Sequence, residues 1–230
     1  MVIKMIKLNS DDILLFQGDS ITHGGRVYSD WDMNHIMGHG YQSILASRIG
    51  LENIDTRPKI INRGVSGDTS LALLNRWDED CIKLKPTILS ILVGINDAFA
   101  KMQGNEKFTP DFYFDTYKKL IEKTLSSLPG IKLIIGEPFH FTCTDENSDS
   151  EKREYEKRFT DISFDYAQKA RLIAKEYNAL FVEYRNEFVK YLDTVPLKYL
   201  VWDGVHPTYT GHEILAEKWY GEVEKYLSKQ

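Results

Sequence analysis

The chain has 230 residues, with 29 basic and 34 acidic side chains and a net charge of -5. That balance gives no electrostatic footprint for a nucleic acid and favours neither a membrane surface nor a polyanion. A chain of this length buries roughly 70% of its unfolded surface, so it needs no disulfide or metal staple, and residues 1–230 are expected to form a single domain.

Hydrophobic and charged contents of 42% and 27% are those of an ordinary globular protein. Cys81 and Cys143 stand far apart, without a CxxC or Cys/His cluster, and are expected to be free thiols of a reducing compartment. No run of 18 apolar residues is present, and Met1 to Lys7 lacks the apolar core of a signal peptide. The expectation is a cytoplasmic protein that acts on a small molecule, does not engage membranes or nucleic acid, and is open to homo-oligomer formation.

In chain order, 13–17 is a short apolar strand bounded by Gly18, which permits a sharp turn before Ser20. A long polar connection, 21–39, carries His23, His35, His39 and Trp31. A helix over 40–49 closes at Gly50, and 59–62 reads as the second strand. Leu71, Leu74, Trp77 and Cys81 predict a helix over 71–84, capped by Asp68 or Ser70 and stopped by Pro86. Thr87 to Val93 is near-continuously apolar, as in a strand buried on both faces, and ends at Gly94-Ile95-Asn96-Asp97. A helix over 110–127, a strand over 131–135, a loop over 142–150 and a long helix over 151–177 follow. In that helix Tyr155, Phe159, Ile162, Tyr166, Leu172 and Ile173 are read as one core-facing stripe. Residues 180–182 form the fifth strand, and the last helix covers 210–227. Strands alternating with helices predict a three-layer α/β/α fold with a flavodoxin-like parallel five-stranded sheet. The order 2-1-3-4-5 is the expectation for it, although the pattern alone does not dictate an order.

Loops at the carboxyl ends of parallel strands converge on one edge of such a sheet. Four polar stretches are candidates for that edge: Gly18-Asp19-Ser20, Ser66-Gly67-Asp68, Gly94-Ile95-Asn96-Asp97 and Asp203-Gly204-Val205-His206. In the last, a tight turn stiffened by Pro207 lets the Asp203 carboxylate reach His206 Nδ1. Nε2 is then in the tautomer that accepts a proton from a serine. The histidines and acids of 23–39 lack compact ligand spacing, so no metal or other cofactor is expected. Asp19 and Asp68 are read as structural carboxylates that hydrogen-bond loop amides.

The four ordered blocks, ending in Asp-x-x-His-Pro, resemble the SGNH hydrolases, the GDSL-type esterases and lipases, over most of the chain. The resemblance implies the SGNH hydrolase fold. It implies Ser20 as nucleophile, His206 as general base and acid, and Asp203 as the carboxylate that orients it. It implies an oxyanion hole made by the backbone N–H groups of Ser20 and Gly67 and the Asn96 side-chain amide. Ile21 stands where leucine is usual, and Gly94-Ile95-Asn96 where many members carry a second glycine, neither at an atom that does chemistry. Gly-Asp-Ser-Ile-Thr, Gly-Ile-Asn-Asp and Trp-Asp-x-Val-His-Pro look most like the branch containing bacterial acetyl xylan esterases.

The expected function is therefore a serine esterase that removes small acyl groups, acetyl above all, from carbohydrates through an acyl-enzyme. Trp31, Trp202 and Tyr209 are candidates for an aromatic wall against sugar rings. A lipase, lysophospholipase or thioesterase with the same triad, acyl transfer to a sugar, and a non-catalytic carbohydrate-binding protein are the alternatives.

Overall fold

The computed structural model describes residues 5–29, 31–144 and 148–229. Residues 145–147 of the expected 142–150 loop, residues 1–4 and residue 30 lie outside the described residues. One parallel sheet contains β1 (Ile13–Gly18), β2 (Lys59–Asn62), β3 (Ile88–Leu92), β4 (Lys132–Gly136) and β5 (Leu180–Val182). Its order is β2-β1-β3-β4-β5, the expected one, and every strand boundary falls within one residue of its expected position.

The helices are α1 (Ser20–His23), α2 (Tyr41–Glu52), α3 (Ser70–Asn75), α4 (Trp77–Asp80), α5 (Ile95–Met102), α6 (Pro110–Ser127), α7 (Ser150–Glu176), α8 (Arg185–Val189) and α9 (Tyr209–Leu227). Successive strand residues point to opposite faces, so each strand feeds two cores. Leu14, Phe16, Ile88, Leu92 and Ile134 pack with α2, α8 and α9. Leu15, Leu89, Ile91, Leu133 and Ile135 pack with α3 to α7. Each core buries an indole whose N–H is satisfied: Trp219 Nε1 donates to Ser90 Oγ at 2.9 Å, and Trp77 Nε1 to Thr124 Oγ1 at 2.8 Å.

Three helical expectations are corrected. The helix expected over 71–84 is broken into α3, α4 and a 3-10 turn at Ile82–Leu84. The break falls at Arg76, whose guanidinium reaches back to Asp68 at 2.7 Å and forward to Asp80 at 3.0 Å. With Asp68 so engaged, Thr69 caps α3, its side chain accepting from Ala72 N–H at 3.2 Å. Nor does Gly50 close α2. The helix runs on to Glu52, and Asn53 ends it by donating to the Ile49 carbonyl at 2.9 Å and to the Ile6 carbonyl at 2.8 Å. In α7, Phe159, Tyr166 and Ile173 are buried, but Tyr155 and Leu172 are 37% and 50% exposed and leave the expected stripe.

The strand ends are tied to one another by side chains. Asn62 Nδ2 donates to the Thr22 carbonyl at 2.8 Å, joining the end of β2 to α1. Asp97, buried in α5 beyond β3, accepts from Ser70 N–H at 2.8 Å and from Ser70 Oγ at 2.6 Å, joining α5 to the start of α3. At Gly18 the backbones come so close that a Cβ would lie 2.2 Å from the Leu92 carbonyl oxygen.

Gly18→Ala should therefore cost about 3 kcal/mol or more, the range reserved for strained or overpacked sites. Urea unfolding measures it, and a loss below about 1 kcal/mol would mean that β1 and β3 separate freely.

Asp97 supplies a second expectation. Burial outweighs the Ser70 hydrogen bonds and pushes its carboxyl up to about 7 from an ordinary 3.8. Between those values the folded chain holds a proton that the unfolded chain has released. Its stability cost is absent below that window and complete above it, so stability from this group falls as pH rises. Asp97→Asn removes that slope. The Tm difference, variant minus wild type, should become less negative from pH 5 to pH 8, and a flat difference would mean that Asp97 stays ionised throughout.

Candidate active site

Ser20 is the first residue of α1, immediately beyond β1. Asp19 caps that helix, its side chain accepting from Ile21 N–H at 3.0 Å. The Ser20 N–H belongs to the first turn and so has no intrahelical acceptor. His206 lies in a tight turn between residues 201 and 207, closed by an antiparallel bridge of Val201 with Pro207 and by Trp202 N–H donating to the His206 carbonyl at 3.1 Å. Within the turn, Asp203 Oδ1 accepts from the backbone N–H groups of Val205 and His206 at 3.0 and 2.7 Å. Its other oxygen, Oδ2, lies 2.6 Å from His206 Nδ1, and His206 Nε2 lies 2.7 Å from Ser20 Oγ. A carboxylate only accepts, so Nδ1 carries the proton and Nε2 accepts from the serine hydroxyl.

The electrostatics reinforce that assignment. Burial alone would raise the Asp203 carboxyl, but hydrogen bonds from the His206 ring and from two backbone N–H groups hold it below its ordinary value. The same hydrogen bond raises the His206 ring above 6.5, against its partial burial. The pair is built to favour an imidazolium beside a carboxylate. A proton arriving at Nε2 would therefore be stabilised by the Asp203 carboxylate.

Gly67 and Asn96 stand in the loops after β2 and β3. Gly67 adopts φ +85, a conformation that suits glycine, and its N–H donates to nothing among the described residues. Asn96 Nδ2 donates to the Asp68 carbonyl at 3.0 Å. A carbonyl cannot donate, so this bond fixes which end of the amide is nitrogen and leaves its second N–H available. Asp68 itself differs from expectation: its carboxylate pairs with Arg76, not with loop amides.

Two clefts flank His206. One, of about 200 Å³, is lined by Ser20, His39, Trp202 and His212, with the Trp202 ring stacked on His206 at 5.9 Å. The other, of about 290 Å³, is lined by Asn96, Phe99, His140, Tyr155 and Glu156. Of the three aromatics singled out in the sequence, Trp202 is at the site. Trp31 and Tyr209 are 83% and 80% exposed and line neither cleft. The second cleft escaped sequence reading. Phe99 had a signal, since it follows Asn96 by three residues and shares its helix face. His140 and Glu156 come from the β4 loop and from α7, and nothing local links them.

The model of the GDSL-like lipase/acylhydrolase family matches residues 16–214. An acetylxylan esterase from Geobacillus stearothermophilus is 31% identical over 221 residues, covering 95% of this chain and 96% of that protein. Among solved structures, an acetylxylan esterase from the same organism superposes with a TM-score of 0.80 at 29% identity, covering 95% and 96% of the two chains. A structure of the GDSL-like lipase type from Parabacteroides merdae gives 0.82 at 31% identity, covering 95% and 98%. Family match, relatives and sheet topology agree: the chain belongs to the GDSL-like lipase/acylhydrolase family and is a carboxylic ester hydrolase.

Proposed function

We propose that the chain is a serine esterase that removes acetyl groups from carbohydrates, with Ser20, His206 and Asp203 as its triad. The observation that carries the triad is the unbroken run of contacts from Ser20 Oγ through both ring nitrogens of His206 to Asp203, at 2.7 and 2.6 Å. In support, solved structures of the Geobacillus stearothermophilus acetylxylan esterase include catalytic mutants in which a serine or an aspartate is replaced by alanine.

Ser20 Oγ attacks the ester carbonyl as its proton passes to His206 Nε2. The carbonyl oxygen takes up the negative charge and is held by the N–H groups of Ser20 and Gly67 and by the free N–H of Asn96. Such donors need no reorganisation when charge develops, and losing one raises the barrier by about 2.7–4 kcal/mol. The tetrahedral adduct collapses, the C–O bond to the sugar breaks, and His206 returns the proton to the departing hydroxyl. Water, deprotonated by His206, then attacks the acyl-enzyme and releases acetate and Ser20. The acetyl assignment rests on the acetylxylan esterase relatives and on the small cleft beside Ser20.

Ser20→Ala should lower kcat on p-nitrophenyl acetate by at least about 10⁴-fold while the Tm stays near wild type. Residual activity within ten-fold of wild type would remove Ser20 from the chemistry.

The acid limb of kcat/KM should have its midpoint above 6.5, because only neutral His206 can accept the serine proton and the Asp203 hydrogen bond favours the protonated ring. Asp203→Asn should lower kcat by about 10⁴-fold and move that midpoint toward lower pH. A limb that stays in place would assign it to a group other than His206.

A further inference from the structure

The cleft on the Asn96 side of His206 holds several groups with no role in the mechanism above, and it is the better furnished of the two. Phe99 and Tyr155 stand exposed at its mouth, and Gln103 Nε2 donates to the Tyr155 hydroxyl at 2.8 Å, pinning that ring from the far end of α5. The interior carries a cluster of polar groups among apolar side chains. His140 is 2% exposed, and Glu156 lies beside it with Oε2 3.4 Å from His140 Nε2. The Cys143 N–H donates to the same Glu156 oxygen at 3.2 Å, and Thr160 Oγ1 fixes His140 Nδ1 at 2.8 Å. Glu156 Oε1 accepts from nothing among the described residues. Burial pushes the His140 ring down to about 4, so it is neutral at physiological pH and brings no positive charge to the cleft.

We infer that this cleft is the subsite for the alcohol half of the ester, built for an uncharged polyhydroxylated ring, with the Glu156 carboxylate accepting a hydroxyl hydrogen bond from it. The inference rests on the carbohydrate-esterase reading above. An ester carbonyl carries its acyl and alcohol substituents in different directions, and two separate clefts are lined by His206. An acetyl methyl is about the size of a water molecule (~30 Å³) and needs little of the cleft beside Ser20. The 290 Å³ cleft is left for the larger half.

Aromatic walls cover the apolar faces of a sugar ring, while a carboxylate that already has one fixed donor presents its second oxygen to a hydroxyl. The sign of the charge narrows the class further. Among the described residues no lysine or arginine lines the cleft, whereas Glu156 and Asp203 both do. A phosphate-bearing alcohol or thiol, such as a phospholipid headgroup or a nucleotide-linked thioester, would meet these two carboxylates there with no basic side chain in the lining to pair with. A site made to hydrogen-bond a substrate hydroxyl discriminates strongly against analogues that lack it, because its own polar group is then left unpaired.

The test compares wild type, Glu156→Gln, Glu156→Ala and Phe99→Ala on a monoacetylated methyl xylopyranoside, p-nitrophenyl acetate and p-nitrophenyl butyrate. The quantity read is kcat/KM on the sugar ester divided by kcat/KM on p-nitrophenyl acetate. That ratio should fall ten-fold or more in Glu156→Ala, mainly through KM. It should fall less in Glu156→Gln, whose amide carbonyl still accepts. Phe99→Ala, at an exposed wall, should lower the ratio independently of how well the Glu156 variants fold.

A ratio unmoved in all three variants overturns the subsite. So does a change in the butyrate-to-acetate preference with the sugar ratio constant, since the cleft would then hold the acyl chain. If wild type hydrolyses p-nitrophenyl acetate but not the sugar ester, the carbohydrate reading fails and the subsite with it. A wild type active on both, with unmoved variant ratios, fails the subsite alone.

Discussion

A 2.7 Å contact between two side chains 186 positions apart is the constraint that the rest of this fold serves. The proton transfer we propose between Ser20 and His206 would tolerate little error, since a misplacement of about 1 Å can cost a hundred-fold in rate. Neither residue sits on a long element that could hold it alone. Ser20 is fixed from behind by β1, by the Asp19 cap and by Asn62, which ties α1 to the end of β2. His206 is fixed within its own turn, where one aspartate binds two backbone N–H groups and the ring together. That turn is then bonded to the loop beyond β4, through Phe141 N–H and the Gly204 carbonyl at 2.8 Å. The central sheet strands and the last turn before α9 are thereby locked into one register at the site.

The same locking buries charge. Asp19 and Asp97 are both fully enclosed near the strand ends, and burial pushes each carboxyl up to about 7. Enclosing a carboxylate costs free energy unless hydrogen bonds replace its water, and here each accepts from a backbone N–H at the start of a helix. The return is geometric. Asp19 starts the helix that carries Ser20, and Asp97 holds α5, with Asn96, against the loop that carries Gly67. Donors arranged in advance around a developing charge do their work without moving, and these two aspartates keep the donor-bearing segments still. Asp19 also adds a small electrostatic pull on His206 in the same direction as Asp203.

Much of this was legible in the sequence because it is governed by local rules. Continuous apolar runs such as 87–93 could only be strands buried on both faces, and polar residues at their ends could only meet at one edge. The Asp203 to His206 spacing contained its own hydrogen bond. What escaped was decided by distant partners. Arg76, bridging Asp68 and Asp80, broke a helix whose apolar spacing was continuous, and Asn53 carried α2 past a glycine that should have ended it. Tyr155 fits the periodicity of the α7 core stripe, yet it faces solvent because the wall it would pack against is a cleft. Periodicity reports which face a residue occupies. It cannot report whether the neighbouring element fills the space opposite.

That unfilled space separates two jobs that could have interfered. The groups we propose to move protons and hold the oxyanion belong to strand ends and tight turns, whose backbones are bonded to one another. Phe99, Tyr155 and Glu156 belong to the faces of α5 and α7, and none bonds to Ser20, His206 or Asp203. The coupling between the helix faces and the proposed triad therefore runs through packing around the shared cleft, not through hydrogen bonds. Selectivity for the alcohol half of an ester can thus be set by residues that take no part in the Ser20 to His206 contact. The exception is Asn96, which lines the larger cleft while its amide is held by the Asp68 carbonyl. Through it, the position of a bound substrate would bear directly on the amide we propose as an oxyanion donor.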